Sequence, residues 1–219
     1  MTFAPLPGRP RGHRSAFHPQ LAELARLVDV ELPVPMSYER EWRGQARSAF
    51  RKALRAADTL PEQLFDPLVR TAILDPDPSH NRMFVEPAIT AFGRRRVLTA
   101  LIAYLRTGTN PERAGAARAW YWAWAPVRPR AGQMHVPASE LRADPDALAD
   151  LSATWREAAL REFISNEDLD VRRCILPLLS LTPASYPADL HDLVAEAVHI
   201  ARTHPDEYLR HRVEIQVRD

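Results

Sequence analysis

The sequence predicts an all-α chain, and three observations carry that expectation. Apolar residues recur at three- and four-residue spacing from His18 onward, the period of a helix with one buried stripe. Seven glycines stand beside twenty prolines, a ratio that suits helices with rigid connections better than the many turns of a β protein. Helix-opening signals recur, such as Thr59-Leu60-Pro61-Glu62 and Asn110-Pro111-Glu112. At 219 residues, with 46% apolar side chains and a net charge of +1, the chain suits one domain or a short repeat array and excludes disorder throughout. The single cysteine, Cys174, excludes an internal disulfide and a cysteine zinc cage. No window approaches 18 consecutive apolar residues and the first thirty lack a leader pattern, so the expected location is cytoplasmic.

In chain order, residues 1–16 carry three prolines, two glycines and three arginines without an apolar period, and read as a disordered basic tail. Residues 17–219 read as a single helical domain. Pro19 fits the first position of a short helix bearing Leu21, Leu24, Ala25 and Val28. A longer helix near Ser37 carries Trp42, Ala46, Phe50 and Leu54. Thr59 and Glu62 form a capping box ahead of Leu64, Phe65, Leu68 and Ile73. A helix from about Ser79 to Phe92 follows, then Gly93, then one bearing Val97, Leu98, Leu101 and Leu105 that ends at Gly108. Asn110, Pro111 and Glu112 open the helix that closes in Trp120-Tyr121-Trp122-Ala123-Trp124. Residues 126–145 are a long proline-rich loop. Four further helices occupy about 146–165, 166–181, 188–203 and 205–217. Pro87 and Pro177 lie within helices and predict a kink in each.

A displacement of 90 residues superposes the segment at 60–92 on that at 150–182. Arg82 meets Arg172, Val85 meets Ile175, Pro87 meets Pro177 and Phe65 meets Trp155. A displacement of 38 brings Leu209-Arg210 onto Val171-Arg172. The stretch Asn166-Glu167-Asp168-Leu169-Asp170-Val171-Arg172-Arg173 resembles the turn and second-helix start of a HEAT repeat. Asp206-Glu207-Tyr208-Leu209-Arg210 is similar, and Asp75-Pro76-Asp77 with Arg82 is a looser version. Gly115 and Ala116 depart from the pattern where the central hairpin should show its Val-Arg pair. The resemblance implies a short right-handed α-solenoid of antiparallel hairpins whose second helices line a concave binding surface, and it implies no catalytic residue.

Charge supplies the best functional hint. Residues 94–130 hold eight arginines against Glu112, a net +7, while residues 131–219 carry −7. Arginine outnumbers lysine 28 to one, a bias that GC-rich bacterial codon usage produces and that is no phosphate code. Consecutive helical residues point about 100° apart, so Trp120 and Trp124 read as core and Trp122 as the more polar neighbour, able to stack on Arg118. The candidate binding residues are Arg113, Arg118, Trp122, Arg172 and Arg210. Asp192, Glu196 and His199 share one helix face but are read as solvated rather than metal-bound. Cys174 reads as a small buried hydrophobe and His211 as a surface residue.

The expected function is a non-catalytic scaffold, with no cofactor and no metal, that binds another protein along its concave face. The alternative is nucleic-acid binding by a protein similar to the HEAT-like DNA-alkylation-repair glycosylases, with an anionic ligand taken by residues 94–130. Against it stand the acidic final third and the lack of an aspartate among the tryptophans. A third expectation is weak head-to-tail self-association of the +7 and −7 regions.

Overall fold

A computed structural model describes residues 11–33, 39–56, 60–77, 79–127 and 138–217. These residues form eleven α-helices and no strand. They are α1 (Arg11–Leu27), α2 (Glu39–Ala56), α3 (Phe65–Leu74), α4 (Arg82–Phe92), α5 (Arg94–Thr107), α6 (Asn110–Trp124), α7 (Ala138–Leu141), α8 (Ala149–Ser165), α9 (Leu169–Ile175), α10 (His191–Thr203) and α11 (Glu207–Gln216). The all-α expectation is met.

Consecutive helices pair as α3 with α4, α5 with α6, α8 with α9 and α10 with α11. The first helices of these pairs touch in the order α3, α5, α8, α10, and the second helices in the order α4, α6, α9, α11. The α6 helix also lies against α3, and α1 packs on α3. Helix α2 joins through Phe50, whose ring meets that of Phe84 at 5.9 Å, and through Arg47, which makes a buried double hydrogen bond to Asp75. Buried apolar residues from Phe17 to Val213 form one continuous core.

Two glycines set the packing. Gly93 adopts φ +87°, a left-handed conformation costly for any residue with a Cβ, and so turns the chain between α4 and α5 without a loop. Gly115 brings α6 against α3 so closely that a Cβ there would lie 2.0 Å from the Ile73 carbonyl oxygen. The flanking Ala114, Ala116, Ala117, Ala119 and Ala123 are all buried as well. Small side chains let this one helix touch α3, α4, α5 and α9 together.

Several boundaries differ from those the sequence suggests. Helix α1 begins at Arg11, inside the segment read as a tail, and Pro19 lies within it rather than at its first turn. Residues 1–10 and the proposed Thr59 cap fall outside the described residues. So do residues 128–137 of the long loop, whose flank carries the short α7. The backbone N–H of Val127 donates to the Leu141 carbonyl and joins the loop's two ends. Pro87 stays inside α4 as expected. Pro177 does not kink a longer helix: α9 ends at Ile175 and a 3-10 turn runs over Leu176–Leu178, because proline has no N–H with which to continue the α pattern. The cap of α6 is Thr109 rather than Asn110; its N–H donates to Glu112 Oε2 at 2.9 Å and its hydroxyl at 2.8 Å.

Candidate functional site

Three of the five expected binding residues share one structural position. Arg113, Arg172 and Arg210 each stand four residues after the cap of a second helix, namely Thr109, Asp168 and Asp206. Each guanidinium reaches back to a carbonyl at the end of the preceding helix, where the last turn leaves C=O groups without helical partners. Arg113 donates to the Arg106 oxygen at 3.3 Å, and Arg172 to Phe163 at 3.2 Å and Ile164 at 3.3 Å. Arg210 donates to the His204 oxygen at 2.5 Å. Arg172 is buried, and burial lowers its pKa. These arginines fasten hairpins. The central hairpin therefore carries its arginine at Glu112-Arg113, not at Gly115-Ala116, and Arg82 is not the counterpart of Arg172. Arg82 pairs with Glu86 at 2.5 Å on its own helix and donates to the Pro126 oxygen at 3.0 Å.

The basic segment is answered from within the fold. Of its six arginines among the described residues, five meet a carboxylate from another element. Arg94 is buried, donates to the carbonyls of Ala123 and Glu140, and receives the Glu140 carboxylate on its backbone N–H at 3.0 Å. Arg95 pairs with Asp150 at 2.7 Å and Arg96 with Glu62 at 2.5 Å, the latter guanidinium lying 3.9 Å from the Phe65 ring centre. Arg113 pairs with Glu162 at 2.8 Å and Arg118 with Asp170 at 3.6 Å. Four of those five acids come from the −7 region. The two opposed stretches largely compensate each other inside one molecule.

The other two expected residues, Arg118 and Trp122, lie one turn apart on α6, yet the expected stack between them is not what forms. Trp122 is half-buried, and the guanidinium above its ring is that of Arg82 on α4, 5.1 Å from the centroid. Tyr121 beside it meets Trp122 edge-on at 5.0 Å and is 59% exposed. Arg118 turns to α9, where its Nη1 donates to Cys174 Sγ at 3.3 Å. Its side chain is only 9% exposed. Cys174 is thus half-buried and held by a charged donor, rather than a plain apolar filler. On the same helix Arg173 makes a double hydrogen bond to Asp206 and covers the Tyr208 ring at 5.5 Å. Burial pushes up the Tyr208 pKa, an effect that Arg212 and Arg173 oppose and Cys174 and Asp206 reinforce. Arg212 stands one turn beyond Tyr208 on α11.

These residues make a ribbon across the second helices: Arg82, Trp122 and Tyr121, then Arg118 with Asp170 and Cys174, then Arg173, Tyr208 and Arg212. The sequence reading found two of them. The others were legible only as pairs spaced by four, Asp170 with Cys174 and Tyr208 with Arg212, a signal too common to single out. Of the two tryptophans expected in the core, Trp120 is buried, whereas Trp124 is half-buried like Trp122 and packs against the core from its edge. Trp120 stacks on Trp155 at 4.0 Å with planes 8° apart, and Trp124 lies 5.9 Å from Trp120. Asp192, Glu196 and His199 are exposed, and among the described residues no three His, Cys, Asp or Glu side chains converge as for a metal ion. Among the described residues no helix is long and apolar enough to cross a membrane. Comparison of the chain with protein-family models, curated proteins and solved structures returned no match.

Proposed function

We propose that the protein is a non-catalytic scaffold of HEAT-like hairpins, a short right-handed solenoid that takes another protein on the surface of its second helices and works in the cytoplasm. The observation behind this reading is the arginine that recurs four residues after the cap in three successive hairpins, since a repeated joint is what a stack of equivalent units requires. The ordered contacts of first helices with first and second with second add to it. The ribbon supplies the chemistry of a protein contact: exposed Tyr121, half-buried Trp122 and Tyr208, and arginines among them, the residue types that concentrate binding energy at interfaces. The nucleic-acid reading has less behind it, because five of the six described arginines of residues 94–118 already have carboxylate partners that a polyanion would have to displace.

A photo-crosslinking amino acid placed at Tyr121, against one at Ala103 on the exposed side of α5, tests the reading in cells. The expected result is a discrete protein adduct at 121 that is missing at 103. Equal adduct patterns at both positions would remove the second-helix surface as the binding face.

A further inference from the structure

Three of the turns that lead into second helices share one bond. Asp75 Oδ1 accepts the Asp77 N–H at 2.9 Å before α4, and Asn166 Oδ1 accepts the Asp168 N–H at 2.9 Å before α9. Before α11 that place belongs to His204, whose ring Nδ1 accepts the Asp206 N–H at 3.0 Å. His204 stands 38 positions after Asn166, the same displacement that carries Arg172 onto Arg210. The two joints match beyond this bond. Asp168 and Asp206 cap their helices by accepting the Val171 and Leu209 N–H groups at 3.0 Å and 3.2 Å, and Arg172 and Arg210 reach back to carbonyl oxygens. The difference is chemical. An amide oxygen accepts a hydrogen bond at any pH, whereas an imidazole nitrogen stops accepting once it binds a proton.

We propose that His204 makes the last joint acid-labile: protonation of its ring frees the start of α11 from α9, while the amide-held joint at Asn166 stays closed. A proton on Nδ1 would set two N–H donors face to face across the turn, so the ring and Asp206 must part. Asp206 is where the consequence spreads. Its carboxylate accepts the Leu209 N–H and a double hydrogen bond from Arg173 of α9, and both depend on where the turn holds it. The charges that act on the ring are Arg172 and Arg173 of α9 with Asp206 and Arg210 at the start of α11, three cations against one carboxylate that Arg173 already engages. Burial first and Arg172 second lower the pKa of His204, so the neutral ring is the folded form. At Asp206 burial acts to raise the pKa, but the hydrogen bonds from Arg173 and the Leu209 N–H outweigh it and hold the carboxyl below its usual range, so Asp206 stays ionised throughout. The joint is complete above the unfolded imidazole value of about 6.5 and is lost as pH falls through that value toward the folded one. The far end of α11 is tethered separately, by Gln216 Nε2 donating to the Leu176 and Leu179 oxygens at 3.0 Å and 3.1 Å, so the loosening is confined to the first turns, where Tyr208 stands.

Hydrogen–deuterium exchange of the full chain, read by mass spectrometry and corrected for the intrinsic chemical rate, compares the amides of 207–213 with their counterparts at 169–175. From pH 7.5 to pH 5.5 the first set should open more often by up to about tenfold, because one pH unit below the unfolded value favours the protonated open state by that factor. The second set should hold steady. His204→Asn, which puts the side-chain amide found at Asn166 in place of the imidazole, should remove the acid step. In the parent protein the His204 ring resonance, followed by nuclear magnetic resonance, should titrate below about 6.5. Equal acceleration of both sets, no acceleration at 207–213, an acid step that persists in His204→Asn, or a ring that titrates at or above about 6.5 overturns the proposal. The resonance titration needs no variant, so it decides even if His204→Asn fails to fold. None of these outcomes depends on a partner binding to the second-helix surface.

Discussion

Replacing Gly115 by alanine is the most direct perturbation of the architecture. In a solvent-facing helix this change stabilises by about 1 kcal/mol, because alanine is the better helix former. Here the new Cβ would lie 2.0 Å from the Ile73 carbonyl oxygen, 2.7 Å from its carbonyl carbon and 2.9 Å from its Cγ2. Two of those atoms are backbone, so no side-chain rotation relieves the overlap, and α3 and α6 must part by on the order of 1 Å, near the upper end of the roughly 1–3 kcal/mol usual for overpacking. Subtracting the helix-propensity gain leaves a loss of about 2 kcal/mol. For a chain of this size that lowers the melting temperature by about 4–8 °C. Gly44 in α2 is the matched control, exposed and with nothing within 4 Å of its Cβ position. Gly44→Ala is expected to gain about 0.5–1 kcal/mol. Urea unfolding followed by circular dichroism at 222 nm reads both. If Gly115→Ala is as stable as the parent, or moves in the same direction as Gly44→Ala, the close approach of α3 and α6 is refuted.

Three further outcomes follow from the hairpin joints and the core. Arg172→Met should lower stability by about 2 kcal/mol, since it leaves the Phe163 and Ile164 carbonyls without their donor, whereas Arg82→Met should change it by under about 1 kcal/mol; paired urea titrations compare them. His204 has its pKa lowered, first by burial and then by Arg172, and its Nδ1 accepts the Asp206 N–H at 3.0 Å, so the neutral ring is the folded form. Its contribution is present above the unfolded value near 6.5 and is lost as pH falls through that value toward the folded one. The urea midpoint should therefore drop between pH 7.5 and pH 5.5, and His204→Asn, which keeps an acceptor but does not titrate, should flatten that step. Trp155→Phe should abolish a paired near-ultraviolet circular dichroism signal from the Trp120 stack while leaving the helical signal in place; a spectrum unchanged from the parent would count against the parallel rings.

The parts of the fold that sequence made legible are those governed by local physics. The stripes at Val97, Leu98, Leu101 and Leu105 and at Leu64, Phe65, Leu68 and Ile73 each depend on one helix, and each is buried. Gly93 was readable as a break because a single residue in an unusual conformation causes it. What escaped depends on pairs far apart in the chain. Arg113, Arg172 and Arg210 stood out for their charge, yet their partners are carbonyl oxygens, which every residue carries and which no residue type advertises. The net +7 of residues 94–130 stood out as a functional hint with no sign of its internal partners, because Asp150, Glu162 and Asp170 lie some fifty positions later and nothing local shows that they return. Repeat alignment placed Arg82 over Arg172 through matching apolar neighbours, while the shared job follows the distance from the cap instead. Most of the ribbon was missed for the same reason: Trp122 and Arg118 belong to one helix, whereas Arg82 and Cys174 meet them only through packing.

The ion pairs that join the middle of the chain to its later part span 46 to 55 residues. A chain emerging from the ribosome amino end first presents its guanidiniums well before the matching acids have been synthesised. The charge pairs that hold α5 and α6 to the later helices therefore form only once α7 and α8 have been synthesised, so the order in which the charges are encoded sets the order in which these joints can close.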